Sequence, residues 1–461
     1  MRAGTTTNSD TARKETFLLV ARALADVEAR TPTDRFADLV ERLARADDPW
    51  LTRLLPWMAR HQPLARLRLA ATAELVHARL EAGRTGTRRV VDRALLRADE
   101  PGELLHYWLT QFGRALPQPV KRGVADAVVR LYDERALATY DSPAAVLRFA
   151  DVLALTHPIT HDPVQADVFR HAVARRRGTV RGIPESLVLL RARRSMYWVP
   201  AERRSLLLER PDAAERLARA AMPWPTVERW LLGRMTGAAW AAVLPSMSYR
   251  DRLAHLADFE RDRLPDEVAR QVARELADPS SVIGSGVSPL EVFAALRAVP
   301  DSRWSRALRA AVELSAVNVP ALPGRTLVLV DRTDLMAGPA ECAPLTRAEA
   351  AAVFGAALAA RGASVDLVEF GTDQRRVPAG PVRETVDRFG PVGGRADAAA
   401  AVRRWLDGHD RIVVLTHPDA AAQAAQAVTV PGHEHVITEP SSGWFTAIPH
   451  VEMARTAAWP F

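Results

Sequence analysis

Hydrophobic residues recur at helical spacing over most of the first two-thirds of the chain. Phe36, Leu39, Val40 and Leu43 occupy positions i, i+3, i+4 and i+7, and residues 51–58 repeat the same pattern. Residues at these positions lie on one face of an α-helix, so each segment predicts a helix with one buried stripe.

Prolines and glycines interrupt this pattern and divide residues 15–315 into helix pairs of roughly 35–45 residues. That length and rhythm favour a HEAT-like α-solenoid, a ring or an arc, in which each hairpin buries its apolar face against its neighbours. No strict sequence repeat is visible, so an irregular helical bundle is the alternative. Residues 1–14 are polar and predict a disordered lead.

The pattern changes after a proline-rich linker at residues 316–323. Residues 326–330 form an apolar run without polar alternation, which is typical of a buried parallel strand. Further strands are predicted at 364–370 and 412–415, with helical segments between them. This alternation predicts that residues 324–461 form a doubly wound α/β domain, with any site at the carboxyl ends of its strands.

Composition narrows the class of protein. The chain has 461 residues, 48% of them hydrophobic and 25% charged, which is ordinary for a globular protein of several domains. No stretch approaches the ~20 apolar residues that cross a bilayer, and the N-terminus lacks a signal sequence. A single cysteine, Cys342, excludes an internal disulfide and a cysteine-based zinc cluster. We therefore expect a cytoplasmic protein without membrane association.

Positive charge is concentrated before the α/β domain. Of 62 basic and 55 acidic residues, 13 basic and 16 acidic lie from Gly324 onward, which leaves 49 basic and 39 acidic residues before it. A basic N-terminal region suits a polyanion such as RNA. The alternative is a general preference for Arg and Ala, since Lys14 and Lys121 are the only lysines.

Several stretches, which follow one another in the family's order along the chain, resemble the TROVE family, which comprises the Ro autoantigen and its bacterial relatives. The resemblance covers nearly the whole chain. It is carried by residues 35–40, 48–50, 116–126, 140, 151–158, 314–331 and 459–461. It implies a ring of HEAT-like helices closed by a von Willebrand A domain.

The resemblance also implies a function. Family members bind small noncoding Y RNAs on the outside of the ring and the ends of misfolded RNAs at its hole. We therefore predict a non-catalytic RNA-binding ribonucleoprotein component, with noncoding RNA and an RNA-processing or other protein as partners. No DNA specificity is evident, and no constellation supports an enzyme. The alternative is a protein-interaction scaffold of the same architecture that has lost RNA and metal binding.

Five residues are the candidate RNA contacts. Lys121, Arg122, Arg135 and Arg148 could supply positive charge, and His157 persists at the family's Asp…His-x-x-Pro position. The basic run that precedes this region in RNA-binding relatives is replaced here by Ala138 to Pro143. Because phosphate contacts dominate affinity for nucleic acid, this loss weakens the prediction. For His157 the alternative is a structural role at the end of a helix.

The resemblance implies a metal site at the carboxyl ends of the strands of the α/β domain. Such a site needs Asp-x-Ser-x-Ser on a first loop, a threonine on a glycine-rich second loop and an aspartate on a third. Asp331 and Thr333 match the first two positions, but Leu335 replaces the second serine and cannot coordinate a metal. On the third loop His417 stands where aspartate is expected.

The second loop departs as well, because the glycine pair 393–394 leads into Arg395 instead of a threonine. The predicted site is therefore degenerate, with Asp331 and Thr333 as its remaining ligands. We expect no cofactor, although Mg²⁺ at this degenerate site is an open alternative. A second hypothesis is that Arg395 replaces the ion and pairs with Asp331, since a buried carboxylate without a partner is costly. A third is that Asp331 and Thr333 only cap the following turn.

Overall fold

The computed structural model describes residues 3–395, 397–428 and 430–461, with only the backbone described for residues 3–8. These residues form two compact units. The first comprises residues 1–233 and 457–461, and the second comprises residues 234–456. Each unit is built around its own apolar core.

The first unit is entirely helical in its described residues. Its helices are α1 Ala3–Arg22, α2 Asp34–Ala46, α3 Asp48–Ala59, α4 Ala65–Glu81, α5 Thr87–Ala94, α6 Glu100–Gln111, α7 Gln118–Leu131, α8 Glu134–Tyr140, α9 Phe149–Thr156, α10 Pro163–Arg177, α11 Val188–Tyr197, α12 Ala201–Leu208, α13 Ala213–Arg219 and α14 Trp224–Trp230.

The second unit combines helices with a five-stranded sheet. Its elements are α15 Gly237–Val243, α16 Tyr249–Ala254, α17 Leu256–Arg261, α18 Asp266–Leu276, α19 Pro279–Ser285, α20 Pro289–Ala298, α21 Ser305–Ser315, β1 Arg325–Asp331, α22 Arg347–Arg361, β2 Ser364–Phe370, β3 Gln374–Arg376, α23 Val382–Asp387, α24 Ala398–Trp405, β4 Arg411–Leu415, α25 Pro418–Ala427, β5 Glu434–Ile437 and α26 Ser442–Thr456.

Helices α2 and α3 form where the hydrophobic pattern predicts them. The four periodic residues of α2, from Phe36 to Leu43, are all buried. The side chain of Thr33 accepts a hydrogen bond from the Phe36 N–H and caps α2, and Asp47 caps α3 in the same way through the Trp50 N–H. Local capping and the apolar stripe therefore define both helices.

Helix α1 begins at Ala3, within the segment of residues 1–14 for which the sequence predicts a disordered lead. Ala12 is buried, and the Arg13 Nε donates a 2.6 Å hydrogen bond to Asp47. The polar composition of the segment concealed these two anchors, which attach the end of the lead to the loop before α3.

An aromatic cluster joins the first helices to residues 457–461. The ring of Trp459 lies 5.7 Å from that of Phe17 and 5.3 Å from that of Trp50. Phe461 contacts the same two rings at 5.7 and 5.5 Å, and Trp57 packs on Phe17 at 5.0 Å. Edge-to-face pairs of this kind add to the hydrophobic contribution of the buried rings.

The sheet of the second unit has the strand order β3-β2-β1-β4-β5. Strands β2, β1, β4 and β5 are parallel, as predicted for a doubly wound domain, and β3 adds an antiparallel edge that the sequence did not reveal. In central strand β1, Val328 and Val330 pack on one face, while Leu327 and Leu329 pack on the other. Burial on both faces explains the apolar run without polar alternation.

The compact units differ from the predicted division of the chain at residues 316–323. In the structure, helices α15–α21 belong to the same unit as the sheet. The Glu313 carboxylate on α21 accepts hydrogen bonds from the N–H groups of Val382 and Arg383 at 2.8 and 3.0 Å. Val319 and Leu322, within the predicted linker, are buried in the core of the second unit. The linker is therefore a packed segment.

A buried ionic network fastens α26 to β4. Arg411 donates two hydrogen bonds to the Glu452 carboxylate, one of 2.7 Å from Nη2, and a third of 2.7 Å to the carbonyl of Pro323. The Nε2 of His435 on β5 lies 3.0 Å from the same carboxylate. Burial alone would raise the pKa of Glu452, but the hydrogen bonds from Arg411 and His435 outweigh it and hold this pKa at about 2. Glu452 is therefore charged inside the core.

These observations confirm the predicted fold class, a mainly helical chain with a helical-repeat region followed by an α/β domain of the von Willebrand A type. Among the described residues, no helix combines the length and apolar character that a bilayer crossing requires.

Candidate nucleic-acid interface and sheet-edge site

The five predicted RNA contacts lie on three neighbouring segments of the first unit. Lys121 and Arg122 are on α7, Arg135 is on α8, and Arg148 and His157 stand at the two ends of α9. Arg122, Arg135 and His157 are exposed, whereas Lys121 is half-buried. His157 is the C-cap of α9, and its backbone lies in the left-handed region with φ of 49°. It therefore has the structural role at a helix end that is the alternative to RNA binding, although its side chain is exposed.

Arg148 is held by an acidic residue that replaces part of the family's basic run. Its Nη2 donates a 2.8 Å hydrogen bond to the buried carboxylate of Asp141, which also accepts a 3.0 Å bond from the Phe149 N–H. This hydrogen bond is the main cause that raises the pKa of Arg148. The guanidinium is thus committed to the fold, and Arg148 is less available for phosphate than predicted.

The structure instead reveals an arginine-rich pocket of about 710 Å³ in the same unit. Helices α8, α10, α11 and α14 and the loop after α8 supply its walls. We call it the arginine pocket and define it by Asp141, Arg175, Arg193, Arg194 and Arg229. Asp141 is the one acidic residue among the described lining residues, and Arg148 already neutralises it. The pocket therefore carries excess positive charge.

The lowered pKa values of two side chains that line the pocket, Arg175 and His171, reflect the positive charge around them. Burial lowers the pKa of Arg175, and the charges of Arg148 and Arg193 lower it further, against an opposing contribution from Asp141. Burial likewise lowers the pKa of His171, with Arg175 and Arg194 adding to the effect. Such shifts mark a place where an added negative charge would be stabilised.

Two of the arginines are also exposed and unpaired. Arg193 is anchored to the carbonyl of Ala138 at 2.9 Å, but within the described chain no carboxylate forms an ion pair with Arg193, Arg194 or Arg229. Arg194 and Arg229 are exposed. These two side chains can therefore reach a ligand without breaking an internal salt bridge.

Exposed aromatic rings adjoin the pocket at the end of α11. Tyr197 lines it, and the neighbouring Trp198 is 74% exposed, with the Arg194 guanidinium 5.1 Å from its ring centroid. An exposed tryptophan beside arginines provides a flat surface on which a base can stack. The sequence analysis missed this group. Its signal was the run Arg191-Ala-Arg-Arg194 followed closely by Tyr197 and Trp198.

In the second unit Asp331 lies at the carboxyl end of β1, as predicted, and is 1% exposed. Its Oδ1 accepts a 2.8 Å hydrogen bond from the Thr333 N–H, and its Oδ2 accepts a 2.6 Å bond from the Thr416 hydroxyl. Thr416, not His417, is thus the third-loop residue that meets Asp331. The His417 side chain accepts a hydrogen bond from the Asp419 N–H and caps α25.

The glycine pair reaches the same edge of the sheet. The Gly393 N–H donates a 2.8 Å hydrogen bond to the Arg332 carbonyl, which brings the second loop against the first. Gly394 has φ of 80°, and a Cβ there would lie 2.9 Å from the backbone of Thr372. Only glycine fits this position without strain.

The hypothesis that Arg395 pairs with Asp331 differs from the observed geometry. Arg395 is exposed, Asp331 is buried, and no ion pair joins these two described residues. Hydrogen bonds to both of its oxygens satisfy Asp331 locally, which removes the need for a cation.

The donors at this edge do not fit a resident Mg²⁺. The side-chain oxygens of Asp331 and Thr416 are hydrogen-bonded to each other. The Thr333 hydroxyl is buried without a partner among the described residues, and Leu335 is exposed at the other serine position. No group of three or more His, Cys, Asp or Glu side chains in the described chain could hold a metal. An octahedral site needs more oxygens than this.

Two substitutions test whether local hydrogen bonds, and not Arg395, stabilise the buried carboxylate of Asp331. Thr416→Val keeps the shape but removes the donor to Oδ2, and we expect the free energy of unfolding of the second unit to fall by about 1–3 kcal/mol. Arg395→Ala is the matched control and should change it by less than about 0.5 kcal/mol. Urea titrations followed by far-UV circular dichroism measure both, and equal losses would mean that Arg395 does balance Asp331.

Comparison with known proteins supports the fold. No protein-family model and no curated protein matches the sequence. Among solved structures, the crystal structure of the Ro (RSR) protein of Deinococcus radiodurans matches with a TM-score of 0.70 and 17% sequence identity, and the match covers 92% of this chain and 94% of that one. The TROVE resemblance predicted from the sequence is thus confirmed at the level of the fold, and the chain has the architecture of a bacterial Ro protein.

Proposed function

We propose that this chain is a non-catalytic RNA-binding component of a ribonucleoprotein, and that its helical unit holds a small Y-like noncoding RNA or the end of a misfolded RNA. The arginine pocket is the observation that carries this proposal. It combines two exposed, unpaired arginines with exposed aromatic rings, whereas its single carboxylate is already neutralised.

Phosphate and base would each find a suitable partner there. Arginine presents a planar, bidentate donor to a phosphate, and the guanidinium groups of Arg194 and Arg229 are accessible for this. Tyr197 and Trp198 offer stacking surfaces that every base can use. Arg135 lies on α8, which also lines the pocket, so it could extend the phosphate track.

The described residues supply no argument for catalysis. Burial raises the pKa of the Cys342 thiol to about 11, so it stays protonated and is a poor nucleophile at neutral pH. The pKa of His171, a buried histidine that lines the arginine pocket, is lowered by burial and by the charges of Arg175 and Arg194. Binding is therefore the function that we propose.

Salt dependence of RNA binding tests the proposal. Fluorescence anisotropy with a labelled 20-nucleotide single strand and a hairpin RNA at 50, 100 and 200 mM salt should give a linear fall of log K with log salt. With three or more phosphates bound, we expect a slope of about −2 or steeper. DNA of the same sequence serves as the comparison for RNA preference.

A scaffold that has lost RNA binding is the second candidate, and Arg148 favours it. Its guanidinium is bound by Asp141, at a segment where relatives that bind RNA are basic. If neither RNA is bound at 50 mM salt, where screening is weakest, the RNA proposal is wrong and the scaffold is the better interpretation.

A further inference from the structure

A second cavity, of about 350 Å³, lies between helices α3, α4 and α5. It shares no lining residue with the arginine pocket. Its walls are mostly apolar and are formed by Leu55, Pro56, Ala59, Leu75, Val90 and Ala94. Volumes of this size are typical of small-molecule sites. We call it the α3–α5 cavity.

A buried arginine lines this apolar space. Arg68 is 3% exposed, and its Nη2 donates a 2.7 Å hydrogen bond to Oε1 of Glu100, which is also buried. The second oxygen of Glu100 is occupied, since it accepts bonds from the N–H groups of Leu96 and Arg97 at 2.6 and 3.3 Å. Backbone donors therefore already engage the Glu100 oxygen that Arg68 Nη2 does not bind.

A second guanidinium nitrogen of Arg68, Nη1, is left without an acceptor. Its Nη1 is buried and has no hydrogen-bond partner among the described residues. Guanidinium groups usually satisfy all their donors when buried, most often through paired bonds to an anion. Arg68 is a lining residue of the cavity, so an unpartnered donor on this side chain is a specific feature that a ligand acceptor would complete.

The entrance to the cavity is also cationic. Arg89 and Arg93 on α5 line it and are exposed, and neither forms an ion pair within the described part of the chain. Helix α3 adds a hydrogen-bond acceptor near the same cavity. Because Pro56 lacks an N–H, the carbonyl of Thr52, four residues earlier, loses its usual helical donor.

We propose that the α3–α5 cavity binds a small amphiphilic anion, an apolar chain or ring that bears one carboxylate. The apolar part fills the space between Leu55, Leu75 and Ala94. The carboxylate accepts a hydrogen bond from Nη1 of Arg68, and the field of Arg89 and Arg93 favours its negative charge. A nucleic acid suits this cavity poorly, because its phosphates would meet apolar walls.

Isothermal titration calorimetry with the full chain at neutral pH tests this proposal. The two probes are octanoate and octan-1-ol, which share an apolar chain and differ in charge. We expect octanoate to bind at least tenfold more tightly than the alcohol. Equal affinities would mean that the cavity selects only for apolar surface, and absence of octanoate binding would also overturn the proposal.

Variants locate the site. Ala59→Phe fills the cavity from its half-buried edge and should abolish octanoate binding, whereas Ala82→Phe, at an exposed position just after α4, should leave it unchanged. Arg68→Met combined with Glu100→Gln removes the ion pair without leaving a lone buried charge, and should lower octanoate affinity at least tenfold but octan-1-ol affinity less than twofold. Unchanged octanoate binding in a folded Ala59→Phe protein would place the ligand elsewhere and refute the assignment.

Discussion

Replacing Arg194 and Arg229 together by glutamate should lower the affinity for single-stranded RNA about 100-fold at 0.15 M salt. Both side chains are exposed in the arginine pocket. Each lost phosphate contact costs roughly fivefold at this salt concentration, and the new carboxylates repel the phosphates in addition. Anisotropy titrations measure the affinity. The slope of log K against log salt should become shallower by about 1.4, which corresponds to two contacts with a single strand.

The matched control has the same change of net charge elsewhere. Arg53 and Arg60 are exposed, lie at α3, and do not line the pocket. Their replacement by glutamate should weaken RNA binding by less than about fivefold, through the general field alone. If the control loses as much affinity as the pocket variant, RNA binds to diffuse positive charge and the arginine pocket is not its site.

Replacing Arg411 by leucine should reduce the free energy of unfolding of the second unit by about 3–5 kcal/mol. The substitution leaves the Glu452 carboxylate buried and without its cation. The double variant Arg411→Leu with Glu452→Gln should recover more than half of the loss, because no unpaired charge remains. Urea unfolding monitored by tryptophan fluorescence measures both variants.

An exposed ion pair provides the control for this experiment. Arg403 lies 3.4 Å from Asp397, and both side chains are at least half exposed. Arg403→Leu should change stability by no more than about 0.5 kcal/mol. A loss below about 1 kcal/mol for Arg411→Leu would contradict the importance of the buried network.

The stability loss of the Arg411→Leu variant should depend on pH in a defined direction. The pKa of Glu452 is about 2, below the ordinary value of 4.5 that applies in the unfolded chain. Its contribution to stability is therefore fully present above about pH 4.5 and is lost as the pH falls towards 2. In Arg411→Leu the carboxyl protonates at a higher pH, so the difference in stability between this variant and the parent protein should be smaller at pH 3 than at pH 7.

Local patterns predicted the elements that local interactions determine. The buried stripe of α2 and the apolar run of β1 are each encoded within about a dozen residues. Short-range periodicity and capping suffice for such elements. The position of Asp331 at a strand end followed directly from them.

Long-range arrangements were harder to predict. The arginine pocket exists because α10, α11 and α14 lie together, and no pattern within one helix indicates its neighbours. Satisfaction of Asp331 by Thr416 involves residues 85 positions apart. One hypothesis drawn from the sequence assigned Arg395 a charge-balancing role, because no local pattern reveals a distant hydroxyl that serves the same purpose without a cation.

The aromatic cluster of Trp459 and Phe461 on Phe17 has a consequence for how the protein is made. Phe17, Trp50 and Trp57 precede these two rings by more than four hundred positions, so translation makes the first helices long before their aromatic partners. During that time the rings of Phe17 and Trp50 lack their contacts with Trp459 and Phe461. The earliest-made helices therefore gain these aromatic contacts only after residues 459–461 have been made, and until then the rings are open to contacts with other chains.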